Sequence, residues 1–178
     1  VRRGLVRTFQ INQLFASMTP LETLAMVVSQ QRGLGGRWWQ KLGQDAAVVE
    51  RCEALLELFR LTEVMHQRTE HLAYGKRRLL EMAIALACEP KVLLLDEPTQ
   101  GVDIGAKEEI HAFVDQAAAG GTAVVVCSTD TSELARLCDR VVVMYRGQIT
   151  NTLTRASGLS AEKIDQLLLT GSSMATAS

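Results

Sequence analysis

The sequence predicts an α/β fold in which helices cover a parallel sheet. Three short apolar runs lie in the second half of the 178-residue chain, at Val92 to Leu95, Ala123 to Cys127 and Val141 to Tyr145. Continuous apolar runs of this length are typical of buried parallel strands. Because helical patterns separate them, the order is strand, helix, strand, helix, strand. This order favours a parallel sheet that binds its ligands at the carboxyl ends of the strands.

The first part of the chain is predicted to be mostly helical after a short strand at Leu5 to Gln10. The sequence Thr19-Pro20-Leu21-Glu22 combines an N-cap, a proline at the first helical position and a capping-box glutamate, and it predicts a helix that ends near Gln30. The glycine-rich stretch Arg32 to Gly43 indicates an exposed connector. A second helix begins after Asp45. Its apolar residues recur at helical spacing: Val48, Cys52, Leu55, Leu56 and Phe59.

A third helix is predicted to be buried between layers, because the run from Leu79 to Ala87 is apolar on nearly every side, with Glu81 as the exception. The helix between the first two apolar runs has one apolar face, which consists of Ile110, Phe113, Val114 and Ala117. The remaining expectations are a short helix near Ser132 to Leu137, a turn at Gly147 into Gln148 to Leu153, a last helix from the cap Ser160 to about Leu169, and a frayed tail from Gly171.

Composition excludes some classes of protein. The formal net charge is −1 and the isoelectric point is near 6.4, so no overall basic field supports nucleic-acid binding. The longest apolar stretches fall far short of the roughly 20 residues that span a bilayer, so at a membrane the chain is expected to dock rather than insert. It begins at Val1 without an initiator methionine, and we expect it to be a piece of something longer.

The cysteines and histidines show no metal-binding pattern. The four cysteines form no C-x-x-C pair, and three of them are expected to be small buried thiols in a reducing, cytoplasmic compartment. His66, His71 and His111 lack ligand-like spacing, so we expect surface or capping roles for them.

The most specific motif is the segment Val92 to Thr99, an apolar strand that ends in the adjacent carboxylates Asp96 and Glu97 and continues into Pro98. Nucleotide hydrolysis needs one carboxylate for the magnesium shell and a second to orient and deprotonate water. The alternative interpretation is an ordinary solvated strand end. The motif therefore predicts a nucleotide-hydrolysing site.

A second motif, Leu72 to Arg77, precedes the buried helix. Gly75 allows a backbone to approach a ligand closely, and the start of a helix offers unpaired N–H groups and a positive dipole end. This pattern indicates an anion site, and its alternative is a loop-to-helix cap. The basic residues Lys76, Arg77 and Arg78 either attract phosphate or form a solvated helix start.

These two motifs, together with Gln100-Gly101-Val102-Asp103, resemble the ATP-binding-cassette (ABC) family over nearly the whole chain. The resemblance implies a RecA-like P-loop NTPase core with an inserted helical subdomain, here truncated at its amino end. It divides the chain into residues 1–10 with the Q-loop, 11–88 as the helical subdomain with the signature loop, 89–155 as the core with Walker B, D-loop and switch region, and 156–178 as the last helix and tail.

The resemblance also implies roles for individual residues. Asp96 holds magnesium, Glu97 is the general base, and Gln10 of the Q-loop touches the magnesium and the attacking water. Ala73, Tyr74, Gly75 and Lys76 belong to the signature loop, which caps the γ-phosphate of ATP bound by the opposite subunit. Asp103 contacts that partner, and Thr129 stands at the switch position.

By the same resemblance, ATP and Mg²⁺ are the cofactors. The partners are a second cassette, identical or different, and transmembrane permease subunits, with no nucleic acid. The location is the cytoplasmic face of the inner membrane, and the function is ATP hydrolysis for an amino-acid or sugar importer. The alternative is a degenerate cassette with a docking or regulatory role.

The sequence departs from the family pattern in three places. The glycine-rich Walker A loop occurs nowhere in the 178 residues, Ala73 replaces the common signature serine, and Thr129 replaces the switch histidine. Because no such loop is there to hold the phosphates, the chain alone is expected to be inactive, whereas the change at Ala73 need not abolish function. The first half resembles branched-chain amino-acid importers and the second half the second cassette of sugar importers, with a seam near Asp96 to Thr99. A natural hybrid, an assembly error and a designed chimera all fit this pattern.

Overall fold

The computed structural model describes residues 4–7, 16–33 and 45–174. The chain forms two compact units, residues 1–125 and residues 126–178. The four segments predicted from the sequence are finer than these units and stay a prediction. The elements in chain order are β1 (Leu5–Arg7), α1 (Pro20–Gln31), α2 (Ala46–Leu58), α3 (Tyr74–Ala87), β2 (Val92–Asp96), α4 (Ile104–Ala119), β3 (Ala123–Cys127), α5 (Thr131–Leu137), β4 (Arg140–Tyr145), β5 (Gln148–Thr154) and α6 (Ala161–Met174). Single 3₁₀ turns lie at Thr62–Val64, Thr69–His71 and Arg155–Ser157.

The parallel sheet has the strand order β1-β2-β3, so the strand that carries the two carboxylates is its central one. Strands β1 and β2 run parallel, with Leu5 opposite Val92. Leu93 and Leu95 are fully buried. The predicted α/β class with a parallel sheet is therefore confirmed. Burial on both faces was wrong for β3, because exposed and half-buried residues alternate along it and Val125 is 47% exposed.

The predicted start of α1 is confirmed in detail. The Thr19 hydroxyl accepts the Glu22 amide N–H at 3.2 Å, and a Glu22 carboxylate oxygen accepts the Thr19 amide N–H at 2.8 Å. Asp45 caps α2 in a similar way by accepting the amides of Ala47 and Val48. The whole predicted apolar face of α2 is buried, including Phe59 just beyond the helix. Hydrophobic periodicity and capping chemistry thus agree in this region.

Helices α3 and α4 supply much of the core. The predicted face of α4 is buried, and the Phe113 ring lies 4.9 Å from the Phe59 ring between centroids. His111 is also buried, so the surface or capping role expected for it was wrong. It is next to Ile110 on the helix and therefore lies at the edge of the same buried face. His66 and His71 are exposed as expected.

In the second unit, the third apolar run, Val141 to Tyr145, was wrongly predicted to be a strand of the parallel sheet. Strand β4 pairs antiparallel with β5, with Val141 opposite Leu153, and does not extend the parallel sheet. The antiparallel pairing with β5 follows from the two-residue loop Arg146-Gly147, whose φ angles are 47° and 80°. Positive φ at both positions is the geometry of a tight hairpin, and so short a loop joins only antiparallel strands.

One face of this hairpin is buried and the other is open to solvent. Val141 and Val143 are buried, as is Ile164 of α6, whereas Met144 is 61% exposed. The last helix continues to Met174, beyond the predicted end near Leu169, and therefore includes the first residues of the expected tail. The alternation along β4 shows that an apolar run does not require burial on both faces.

The cysteines are less buried than expected. Cys52 is buried, Cys88 and Cys138 are half-buried, and Cys127 is exposed. Burial raises the pKa of the thiols of Cys52, Cys88 and Cys138, which keeps them protonated and weakly nucleophilic near neutral pH.

Among the described residues, none of the helices has the length and apolar character needed to cross a bilayer.

Candidate active site

The two adjacent carboxylates lie where the central strand ends. Asp96 is the last residue of β2 and is exposed, whereas Glu97 is half-buried. Glu97 has a φ of 44°, a left-handed conformation that side chains other than glycine rarely adopt. The chain then turns, and the Glu97 carbonyl accepts the Gln100 amide N–H at 3.2 Å. The strand thus presents two carboxylates at the edge where parallel sheets bind ligands.

Arg78 of α3 binds the backbone of this turn through hydrogen bonds. Its guanidinium donates to the carbonyl oxygens of Asp96 at 2.8 Å, Glu97 at 3.1 Å and Pro98 at 3.2 Å. It also donates to Glu81 at 2.8 Å, and both side chains are buried. Neither expectation for Arg78 was correct, because it is neither a solvated cation nor a free attractor of phosphate.

The signature segment, residues Ala73 to Lys76, forms the start of α3. Ala73 occupies the N-cap position without a side-chain capping hydrogen bond. Gly75 is buried, and a Cβ atom added there would meet the Ala106 Cβ at 3.0 Å and an Asp103 carboxylate oxygen at 3.2 Å. The missing side chain at Gly75 therefore lets the start of α3 pack against the start of α4.

Asp103 and Gly101 complete this contact. The Asp103 carboxylate accepts the Ala106 amide N–H at 2.9 Å and so caps α4. Gly101 adopts a φ of 74°, and a Cβ atom there would lie 3.5 Å from the Tyr74 ring. The signature segment and the loop after the carboxylates are thus neighbours in the first unit.

Lys76 is engaged within the chain. Its ammonium donates to the Arg60 carbonyl at 2.8 Å and lies 3.9 Å from a Glu109 carboxylate oxygen. Glu109 also pairs with the Arg60 guanidinium at 3.4 Å. Lys76 therefore links α3 to Arg60, just after α2, and to Glu109 of α4.

Two further site residues, Gln10 and Thr129, were predicted from the sequence. Gln10 is outside the described residues. Thr129 is exposed and lies between β3 and α5 in the second unit. Beside it, the Ser128 hydroxyl donates to the buried Glu133 carboxylate at 2.6 Å, and Asp130 caps α5 by accepting the Glu133 amide N–H. These flanking hydrogen bonds fix the backbone on either side of Thr129.

The donor set fits a magnesium ion that is bound mainly through phosphate oxygens. Within the described ranges, no group of three or more histidine, cysteine or acidic residues is placed to hold a metal ion. Mg²⁺ commonly takes one or two carboxylates and completes its shell with water and phosphate oxygens. Asp96, an exposed carboxylate at the end of β2, meets that requirement as one hard oxygen donor, and the start of α3 is suited to an anion.

The importance of Arg78 and Glu81 was not recognised from the sequence. The available signal was a charged pair three residues apart in an otherwise apolar helix, since such residues face the same side. Charged groups at buried positions need partners. Periodicity therefore pointed to a buried pair, but not to the carbonyl groups that Arg78 binds.

Replacing Gly75 by alanine is expected to destabilise the first unit by about 1–2 kcal/mol. The new methyl group would overpack the contact with Ala106, which costs typically about 1–3 kcal/mol, and better helix propensity offsets part of this. Urea denaturation measures the change. The matched control is Gly120→Ala, whose methyl group meets only atoms at 3.4 Å or beyond. Equal stability for both variants would contradict the close packing at Gly75.

The fold and the site together define an α/β protein with paired carboxylates at the end of its central parallel strand. The chain belongs to the ABC transporter family, whose sequence model matches residues 1–100. Solved ATP-binding cassettes share its RecA-like P-loop fold. One, a nucleotide-free cassette from an ABC transporter, has a TM-score of 0.71 and 27% identity, and the match covers 94% of this chain and 65% of that one. CbiO1 from Clostridium perfringens, part of the ABC transporter complex cbiONQ, has a TM-score of 0.70 and 25% identity, with 94% and 64% covered.

Curated relatives carry the provisional name ribose/galactose/methyl galactoside import ATP-binding protein. The relative from Rhizobium johnstonii is 36% identical over 136 residues, which is 76% of this chain and 26% of that protein. The relative from Pseudomonas fluorescens is 33% identical over 159 residues, or 89% and 30%. The chain thus spans about a quarter to a third of the length of these relatives. The resemblance of the first half to branched-chain amino-acid importers stays a prediction.

Proposed function

We propose that this chain is the part of an ABC importer ATPase that carries the signature segment and the hydrolytic carboxylates. In this proposal Asp96 contributes to the Mg²⁺ shell, and Glu97 orients and deprotonates the attacking water. The signature segment, with its uncapped helix start, faces the γ-phosphate of ATP held by a second cassette. In the same proposal Asp103 contacts that second cassette, and Gln10 and Thr129 have the roles toward the attacking water that the family resemblance implies.

One observation carries the proposal. The two carboxylates lie at the end of the central strand β2, Asp96 as its last residue and Glu97 directly after it, and Arg78 of the signature helix binds the backbone of both. The turn that carries the carboxylates and the start of α3 are therefore joined by hydrogen bonds, which supports a shared role for them. These hydrogen bonds argue against the alternative of an ordinary solvated strand end, whose carbonyl groups would be hydrated by water instead.

The relatives support the class of transporter. They are named for the import of ribose, galactose or methyl galactoside. We infer that this chain takes part in sugar import. It would belong to one of two cassettes that dock on transmembrane permease subunits at the cytoplasmic face of the membrane. A transmembrane subunit then provides the path for the sugar, and this chain provides part of the ATP site.

A second candidate function rests on Thr129. A threonine at the switch position offers one neutral hydroxyl where the family has an imidazole that can carry charge. This change favours a cassette with a docking or regulatory role in an asymmetric pair. Glu97 favours hydrolysis, because a non-hydrolysing cassette has no chemical need for a general base.

The experiment that tests hydrolysis uses a completed cassette. An amino-terminal segment from a sugar-import relative, carrying the glycine-rich loop, is fused before residue 1, and phosphate release is measured with Mg²⁺ and ATP. We expect turnover that falls by about 10²–10⁴-fold in Glu97→Gln, since a general base is typically worth that factor. The control Glu108→Gln, an exposed carboxylate on α4, should leave the rate unchanged. Turnover that is indifferent to Glu97 would refute the proposal.

The 178-residue chain by itself is expected to release no phosphate above background. Its sequence contains no glycine-rich loop with a lysine to cradle the phosphates of ATP. Phosphate release by the purified chain, compared with its Glu97→Gln variant, measures this. Turnover in the chain that disappears in the variant would show that another segment of these residues binds the nucleotide.

A further inference from the structure

We propose that Arg78 is a positioning residue, which sets the direction of the Asp96 and Glu97 side chains by binding the backbone that carries them. The inference rests on the proposed function, because it assigns a role within the same site. Arg78 is buried in α3 and is separated from the carboxylates by about twenty residues of sequence. Its influence on them passes through hydrogen bonds to three consecutive carbonyl groups.

The geometry suits an arginine and no other side chain. The guanidinium has five N–H donors in a rigid planar fork. Nε donates to Pro98, Nη2 donates to both Asp96 and Glu97, and Nη1 donates to Glu81. A lysine ammonium has its donors on a single atom and cannot reproduce this spread of directions.

The backbone of Glu97 needs such support. Its φ of 44° places a non-glycine residue in a sparsely populated region, which persists only where the surroundings hold it. The Glu97 carbonyl accepts from both Arg78 and the Gln100 amide. Without Arg78, the peptide groups from Asp96 to Pro98 can rotate toward ordinary conformations, and the two carboxylates would move with them.

Glu81 lets Arg78 be buried without a net charge. Its carboxylate lies 2.8 Å from Nη1, and the two side chains are 6% and 9% exposed. The pair can therefore be removed as a unit, since replacing a buried ion pair by apolar residues of similar volume is often neutral for stability. A double variant that lacks both charges can therefore keep the stability of the fold. If it nevertheless loses activity, Arg78 has a positioning role and not only a structural one.

The test compares the double variant Arg78→Met/Glu81→Met with the single variant Arg78→Lys. The first readout is amide hydrogen exchange in the 178-residue chain, which needs no ATP hydrolysis. Exchange at Gln100 should rise by about tenfold or more in both variants, because the Glu97 peptide group is no longer held by Arg78 and can rotate its carbonyl away from the Gln100 N–H. The control amide is Lys107, which donates to the Asp103 carbonyl at 2.9 Å and should keep its exchange rate.

The second readout is turnover in the completed cassette. The double variant should keep a melting temperature within about 5 °C of the parent, yet lose about 100-fold in kcat with little change in KM for ATP. Arg78→Lys, which keeps the charge, should also lose activity and so provides a result if the double variant does not fold. Parent-like exchange at Gln100, or parent-like kcat in a folded variant, would overturn the inference. An inactive parent cassette with altered Gln100 exchange in the variants would count against the proposed function alone.

Discussion

Replacing Thr129 by histidine should accelerate single-turnover ATP hydrolysis by about 100-fold in the completed cassette. An imidazole at the switch position can donate to the γ-phosphate and help to hold the attacking water against Glu97, whereas threonine has one neutral donor on a shorter arm. One well-aimed donor in a transition state is typically worth about 3 kcal/mol, on the order of that rate factor. ATP affinity should change little, because the contact matters most as charge develops.

Rapid-quench measurement at saturating ATP gives this rate. The matched control is Thr152→His, which places the same imidazole on an exposed position of β5 and should leave the rate unchanged. An unchanged rate for Thr129→His would contradict the placement of Thr129 at the switch position. Equal acceleration by both variants would point to a nonspecific effect of added histidine.

Replacing Glu81 by alanine is expected to destabilise the first unit by about 3–5 kcal/mol. The substitution leaves the Arg78 guanidinium buried without its carboxylate at 2.8 Å, and an uncompensated buried charge typically costs this much. Urea denaturation of the 178-residue chain measures the change in the free energy of unfolding.

Two comparisons sharpen this measurement. Glu108→Ala removes an exposed carboxylate from α4 and should change stability by no more than about 0.5 kcal/mol. Adding Arg78→Met to Glu81→Ala should recover part of the loss, because the unpaired charge is then gone. A cost near 1 kcal/mol or less for Glu81→Ala would mean that solvent reaches the pair.

Local rules were sufficient to predict most helices and their buried faces. The Thr19 capping box, the apolar face of α2 and the face of α4 that includes Phe113 depend on residues close in sequence. Side-chain periodicity and capping chemistry determine such features directly. The carboxylates at the end of β2 were predictable for the same reason, since a strand and the residues after it are contiguous.

Features that depend on distant residues were not predictable in this way. Strand β4 is a different case, because the Arg146-Gly147 turn that pairs it antiparallel with β5 follows it directly in the sequence, and the apolar composition of β4 outweighed that local signal in the prediction. The bonds of Arg78 to carbonyl groups about twenty residues away depend on how α3 meets β2, and the left-handed backbone of Glu97 has no marker in the sequence. Tertiary packing decides such contacts, and local propensity does not.

The different tasks of the two adjacent carboxylates are tested most directly by comparing Asp96→Asn with Glu97→Gln in the completed cassette. The measurement combines Mn²⁺ binding in the presence of ATP, followed by electron paramagnetic resonance, with single-turnover hydrolysis. We predict that Glu97→Gln binds Mn²⁺ and ATP within about threefold of the parent but loses at least about 100-fold in rate. Asp96→Asn should weaken Mn²⁺ binding by about tenfold or more, because a metal ligand is lost. Equal effects of the two variants on metal binding, or a parent-like rate for Glu97→Gln, would contradict this assignment.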